Sequence, residues 1–215
     1  MANLLIFFLG TSFGSFIGLV VDRFPEKSIL HPQSHCDSCG NCLQVRDLIP
    51  IFSQLINRSR CRWCNQKIPW RYVTLETILG IVFYLAWCGQ FSGSQVFIIC
   101  LSLTLSLYDW QNQSFPLLVW LIPSLVALPF TGINSLALCF LLFGVMAELV
   151  DLKIGSGDFY YLATLSLFLS FQEILWVVQL ASLSAILACF FIQTKRLPFV
   201  PFLFFGYLVI SIICF

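Results

Sequence analysis

From Thr77 to Ala147 the chain runs for 71 residues with a single charged side chain, Asp109. A soluble fold cannot be built from such a stretch, because its helices or strands would have no polar face to turn toward water. The rest of the chain follows suit: only 10% of residues are charged, where about 25% is usual in soluble domains. Thirteen of the 21 charged residues are bunched between Asp22 and Glu76. The near balance of 11 basic and 10 acidic residues argues against a nucleic-acid binder. The expected fold is an all-α polytopic integral membrane protein in three parts. These are a first apolar helix over 1–21, a polar loop over 22–72, and a membrane-embedded part over 73–215.

Residues 1–21 carry no charge and are long enough to cross about 30 Å of hydrocarbon. They lack the basic n-region and small-residue cleavage site of a cleaved signal peptide. Further apolar segments fall near 73–90, 95–110, 115–130, 133–150, 159–171, 174–193 and 197–215, which makes about eight spans. Pro116, Pro123 and Pro129 make the fourth of these irregular. With the N-terminus outside, the inner connections are 22–72, 109–116, 151–158 and 194–196, and the C-terminus is outside as well. Those four connections hold all eleven Lys and Arg residues, eight of them in the first loop. This is the asymmetry of a multi-pass protein of the cell membrane with a cytoplasmic first loop.

That loop carries Cys36-Asp-Ser-Cys39 and Cys61-Arg-Trp-Cys64, separated by 21 residues, with Cys42 in addition. Two CxxC turns at about this spacing are the pattern of a four-thiolate zinc site, because each turn brings two sulfurs to one tetrahedral ion. A reduced cytoplasmic loop disfavours disulfides. The expected metal ligands are Cys36, Cys39, Cys61 and Cys64, with Cys42 or His35 open as substitutes for one of them. Four protein ligands leave no open position, so the zinc is structural and folds a loop with little core of its own.

Asp109 stands at the inner end of the third apolar segment, where an unpaired acid is costly and reads as functional. Asp158 follows Gly155-Ser156-Gly157 at the inner entrance of the sixth. Two carboxylates meeting in a poorly solvated site share one proton. One then activates a water while the other polarises a carbonyl, which suits peptide hydrolysis. Asp151, also near the inner face, pairs by position with Lys153 as a helix end. A competing reading makes Asp109 and Asp158 a relay in a non-enzymatic ion or proton transporter.

The order of motifs then resembles the type IV prepilin peptidases. It starts with Gly14-Ser15-Phe16 and Asp22-Arg23-Phe24-Pro25, and continues through Ser34-His35-Cys36-Asp37-Ser38-Cys39 and Asp47-Leu48-Ile49-Pro50. Cys61-Arg62-Trp63-Cys64, Lys67-Ile68-Pro69, Arg71-Tyr72, Glu76 and Gly80 follow. Asp109 with Pro116, and Gly155-Ser156-Gly157-Asp158 with Leu162-Ala163, complete the pattern. The short length looks most like the Gram-positive competence form, which processes pseudopilins.

The resemblance implies that Asp109 and Asp158 are the catalytic pair of a GxGD-type aspartyl protease cutting prepilins at the cytoplasmic end of their apolar helix. It also implies S-adenosylmethionine-dependent N-methylation of the new N-terminus. The sequence has no glycine-rich nucleotide fingerprint of its own for the methyl donor. Two positions depart from the family pattern: Leu117 stands where Asp is frequent, and Tyr160 stands where Lys is common two residues after the second aspartate. Glu76 is expected either to pair with Arg71 or to serve methyl transfer.

Overall fold

Each of the eight apolar segments forms a helix in the computed structural model, which describes residues 1–150, 155–192 and 197–213. In chain order α1 is Ala2–Arg23, α2 Phe52–Ile56, α3 Arg71–Trp87, α4 Gly93–Asn112 and α5 Leu117–Thr131. They are followed by α6 Ser135–Leu149, α7 Ser156–Ser166, α8 Phe171–Ile192 and α9 Val200–Ile213. The described residues contain no strand, only two isolated bridges, His35 with Cys42 and Arg60 with Lys67. Asp151, Lys153, Lys195, Arg196 and Cys214 lie outside the described residues.

The ends of these helices follow from local chemistry. Asn134 caps α6 by accepting the Ala137 N–H at 2.7 Å, as a helix N-terminus with orphan donors requires. Glu173 accepts the Ser170 N–H at 2.7 Å and so closes the start of α8. Helix α5 continues through Pro123 and Pro129.

The chain divides into two compact units, Met1–Val96 and Phe97–Phe215. In the first, α1 buries Gly10, Thr11, Gly14, Ile17, Gly18 and Val21 while Leu4, Leu5, Leu9, Phe13 and Phe16 are exposed. Small residues inside and large apolar ones outside is the arrangement of helices packed in lipid, where close backbone approach replaces hydrophobic burial as the adhesive. Among the described residues, Ala2–Arg23 and Phe171–Phe191 are long and apolar enough to cross a membrane.

Gly10, Gly14 and Gly18 form the contact stripe against α3. A Cβ on Gly10 would lie 2.5 Å from the Leu79 carbonyl oxygen, and one on Gly14 would lie 2.8 Å from Glu76 Cα. Backbone therefore touches backbone, and neither neighbour can move aside. Gly14→Leu is expected to cost about 3 kcal/mol by overpacking, read as a lowered Tm of the detergent-solubilised chain. An unchanged Tm would contradict this close approach.

The loop between α1 and α3 is tied down at both ends. Arg71 donates to Asp22 at 2.5 Å, and the Tyr72 hydroxyl donates to the other Asp22 oxygen. The expected Glu76–Arg71 pair is therefore absent, because Arg71 is claimed by the acid at the end of α1. Glu76, buried on α3, instead accepts the Ile51 N–H at 2.7 Å and is bonded to the Ser15 side chain. Ile51 sits at φ 64°, ψ −54° in a γ-turn closed by the Phe52 N–H on the Pro50 carbonyl at 2.7 Å. A β-branched residue with positive φ is strained; here the bond to the buried carboxylate helps hold it.

In the second unit, α6 packs on α7 and α8 on α9 through glycines. A Cβ on Gly144 would come within 2.7 Å of the Tyr160 ring, and one on Gly206 within 2.6 Å of the Val177 carbonyl oxygen. Polar side chains cross-link the helices: Trp120 donates to Thr164 at 2.7 Å, and Ser102 and the Tyr161 hydroxyl are 2.6 Å apart.

Candidate functional site

The cysteine cluster in the first unit is built from two matching turns. In the first, the Gly40 N–H donates to the Cys36 carbonyl at 2.8 Å and the Cys36 N–H to the Asn41 carbonyl at 3.0 Å. In the second, the Asn65 N–H donates to the Cys61 carbonyl at 3.0 Å and the Cys61 N–H to the Gln66 carbonyl at 2.8 Å. Each turn reverses just after its second cysteine through a residue of positive φ, Gly40 at 70° and Asn65 at 60°. Gly and Asn are the residues that tolerate that region. The repeated Cys-x-x-Cys-(Gly/Asn) pattern is a signal in the sequence that spacing arithmetic alone passes over.

The turns bring Cys36, Cys39, Cys61 and Cys64 together, with all four sulfurs within 4.8 Å of one another. Cys36 and Cys64 sulfurs are 3.7 Å apart, and those of Cys39 and Cys61 4.0 Å. A tetrahedral zinc with Zn–S of about 2.3 Å sets its sulfurs about 3.8 Å apart, so the four thiols fit that ion. Cys42 and His35 are not members of the cluster; the His35 Nδ1 bonds the Gln33 carbonyl at 2.8 Å.

The N–H groups of Cys64 and Trp63 push the Cys61 thiol down to about 6. The Gln66 N–H pulls the Cys64 thiol the same way, but desolvation and the neighbouring sulfurs prevail and push it up to about 12. Four thiols in contact cannot all shed their protons without a cation between them. Nearby, Asp47 is partly desolvated, which raises its pKa, but the Gln44 N–H, Asn57 and Arg62 outweigh this and hold it below the usual carboxylate range. Arg62 of the second turn reaches Asp47 at 3.4 Å.

The aspartates lie in the second unit. Asp109, in the last turn of α4, is 7% exposed. Its Oδ2 accepts the Val200 N–H at 3.0 Å, and the Phe199 N–H also bonds it. The carboxylate therefore sits at the start of α9, where orphan amides and the helix dipole favour an anion. Asp158 lies in the first turn of α7 and folds back over Gly155, so a Cβ there would be 3.1 Å from its Oδ2. A Cβ on Gly157 would strike the Phe115 ring at 2.7 Å, so of the two glycines Gly157 has the tighter steric constraint. Asp158 is within electrostatic reach of Asp109. The structure thus brings the two sequence candidates, 49 residues apart, into one neighbourhood.

Glu148 is exposed on α6, and its Oε2 accepts the Tyr160 hydroxyl at 2.8 Å. No local pattern announces that pair, because its members lie on different helices.

The described residues are helical and hold a four-cysteine cluster and two aspartates within electrostatic reach of each other, and comparison with known proteins gives the family. Residues 8–89 match the bacterial peptidase A24 N-terminal domain, close to the extent of the first unit. The chain is 31% identical over 201 residues to a prepilin leader peptidase/N-methyltransferase of Myxococcus xanthus (strain DK1622), covering 83% of this chain and 59% of that one. It is 30% identical over 206 residues to the one from Klebsiella pneumoniae, covering 84% of this chain and 90% of the relative. The Bacillus subtilis (strain 168) protein of the same name is 25% identical over 219 residues, covering 92% and 88%. No solved structure matches the chain. The chain belongs to the prepilin leader peptidase/N-methyltransferase family.

Proposed function

We propose that this chain is a membrane-embedded aspartyl endopeptidase that removes the leader of prepilins or pseudopilins at the cytoplasmic face of the cell membrane. The observation that carries the reading is that the Asp109 carboxylate, held at the start of α9, and Asp158, in the first turn of α7, lie within electrostatic reach of each other. About eight spans with both termini outside, a cytoplasmic 22–72 loop and a 73–215 peptidase part agree with the distribution of basic residues.

The chemistry divides between the acids. Asp109 accepts two backbone N–H groups at the start of α9 and is suited to be the carboxylate that takes a proton from water. Among the described residues no hydrogen-bond donor reaches the Asp158 carboxyl, which suits it to hold the shared proton and polarise the scissile carbonyl. Hydroxide adds to the carbonyl carbon, and the C–N bond breaks. The proton taken from water passes to the leaving amine, returning the pair to its starting state.

Cys36, Cys39, Cys61 and Cys64 hold a structural zinc that fastens the two turns of the loop, outside the reaction. N-methylation of the new N-terminus rests on family membership. The loop cavity of about 360 Å³, lined by Arg23, Gln33, Ser34 and apolar side chains, offers no acid for a nucleoside ribose. That lining does not fit S-adenosylmethionine.

The test is the position of the cut. Incubated with membranes containing this chain, a prepilin is cut at the cytoplasmic edge of its apolar helix. A cut deep within the helix would contradict the reading, and ion flux without cleavage would favour a transporter instead.

A further inference from the structure

The polar loop contains a stretch without charge: 48–57 reads Leu-Ile-Pro-Ile-Phe-Ser-Gln-Leu-Ile-Asn, between Asp47 and Arg58. Its two ends are clasped, because the Asn57 side-chain amide donates to Asp47 Oδ1 at 3.2 Å. The stretch therefore leaves the loop and returns to the same point. What lies between reaches along α1. The Ile51 N–H donates to Glu76 at 2.7 Å, and Glu76 is bonded in turn to the Ser15 side chain. Phe52 sets its ring against Phe8 with centroids 5.9 Å apart. Ser15 precedes Arg23 by eight residues and Phe8 by fifteen, or ~12 Å and ~22 Å along a helix. The end of α1 is marked separately by Asp22, paired with Arg71. Ile51 and Phe52 thus stand beside the body of α1, not beyond its end.

The stretch is built for an apolar medium, where each backbone N–H must find a partner within the protein. Pro50 has no N–H to satisfy. The Phe52 N–H donates to the Pro50 carbonyl, Ser53 to Ile49, Leu55 to Ile51 and Asn57 to Ser53. Gln54 is buried, and its side chain accepts the Ser59 hydroxyl at 3.5 Å. Outward stand Leu48, Ile49, Phe52, Leu55 and Ile56, all exposed. A row of that kind suits acyl chains rather than water. Leu9 and Phe13 of α1, which fall between Phe8 and Ser15 in the chain, are exposed and apolar as well. At the neck, Arg46 and Arg58 are exposed, where basic side chains meet lipid headgroups.

We propose that 48–56 is a re-entrant segment that enters the bilayer beside α1 and turns its apolar side chains to lipid acyl chains. Glu76 then serves to satisfy a backbone amide at membrane depth. The inference rests on α1 spanning the membrane, as read above. The test uses the full chain in lipid vesicles and two reagents. A carbene photolabel dissolved in the bilayer marks side chains that meet acyl chains, N-ethylmaleimide marks thiols that meet water, and peptide mass mapping locates both. The unaltered chain is expected to take the photolabel at Leu55 and Ile56 as it does at Leu9 and Phe13, and not at Leu30 or Val45. Val45 and Leu55 are both well exposed, at 82% and 62%. Leu55→Cys is nevertheless expected to react with maleimide about tenfold more slowly than Val45→Cys, since the reactive thiolate is disfavoured in hydrocarbon. Equal maleimide rates, whatever the photolabel, would put the segment in water and overturn the inference. Slow maleimide without photolabel would mean that protein, such as a second copy, covers the row, and would overturn it too. Photolabel absent from α1 as well would instead overturn the membrane reading on which the inference rests.

Discussion

Asp109→Asn and Asp158→Asn, each introduced alone, are expected to abolish prepilin cleavage while the chain accumulates at its normal level. The exchange keeps shape and volume, and the Asn carbonyl can still accept the Val200 N–H that Asp109 accepts at 3.0 Å. What is lost is the ability to take up and return a proton. General acid–base assistance is worth about 10²–10⁴ in rate, and the pair acts as a unit, so removing either member forfeits most of the effect. Timed cleavage of a prepilin in isolated membranes gives the rate, and immunoblotting gives the amount of chain. Full processing by either variant would remove the dyad from the mechanism.

The second large effect concerns the thiolate cluster. Cys→Ser at Cys36, Cys39, Cys61 or Cys64 is expected to lower bound zinc sharply and leave the 22–72 loop open to protease, whereas Cys42→Ser leaves both unchanged. The sulfurs already stand at distances suited to one ion, and a structural zinc supplies about 10–16 kcal/mol to the fold that holds it. Outside its turns the loop has little core: Leu30, Val45, Leu55 and Ile56 are all exposed. Metal analysis of the purified chain should return one zinc per molecule. A chain without metal, or equal loss in Cys42→Ser, would overturn the assignment.

The helices and the cluster are legible in the sequence for local reasons. Apolar runs long enough to form helices are bounded by Gly, Pro, Asn and Ser, and the two CxxC turns carry their own geometry within a few residues. Asp109 and Asp158 stand out because charge is so scarce around them. The partners of these groups are not legible, since they come from distant chain. The amide on Asp109 belongs to a residue 91 positions away, and Arg71 finds Asp22 at a separation of 49 rather than Glu76 five residues on. Glu76 in turn holds a strained Ile51 that no propensity would place at positive φ. The α1–α3 contact is half visible, as glycines spaced by four on α1, but their partner on α3 is set by packing.

The most direct measurement is the intact mass of a prepilin co-expressed with the unaltered chain or with Asp109→Asn. The account predicts a prepilin shortened at its N-terminus by the leader with the unaltered chain only. Full-length prepilin with both chains, or mature prepilin with both, would contradict it.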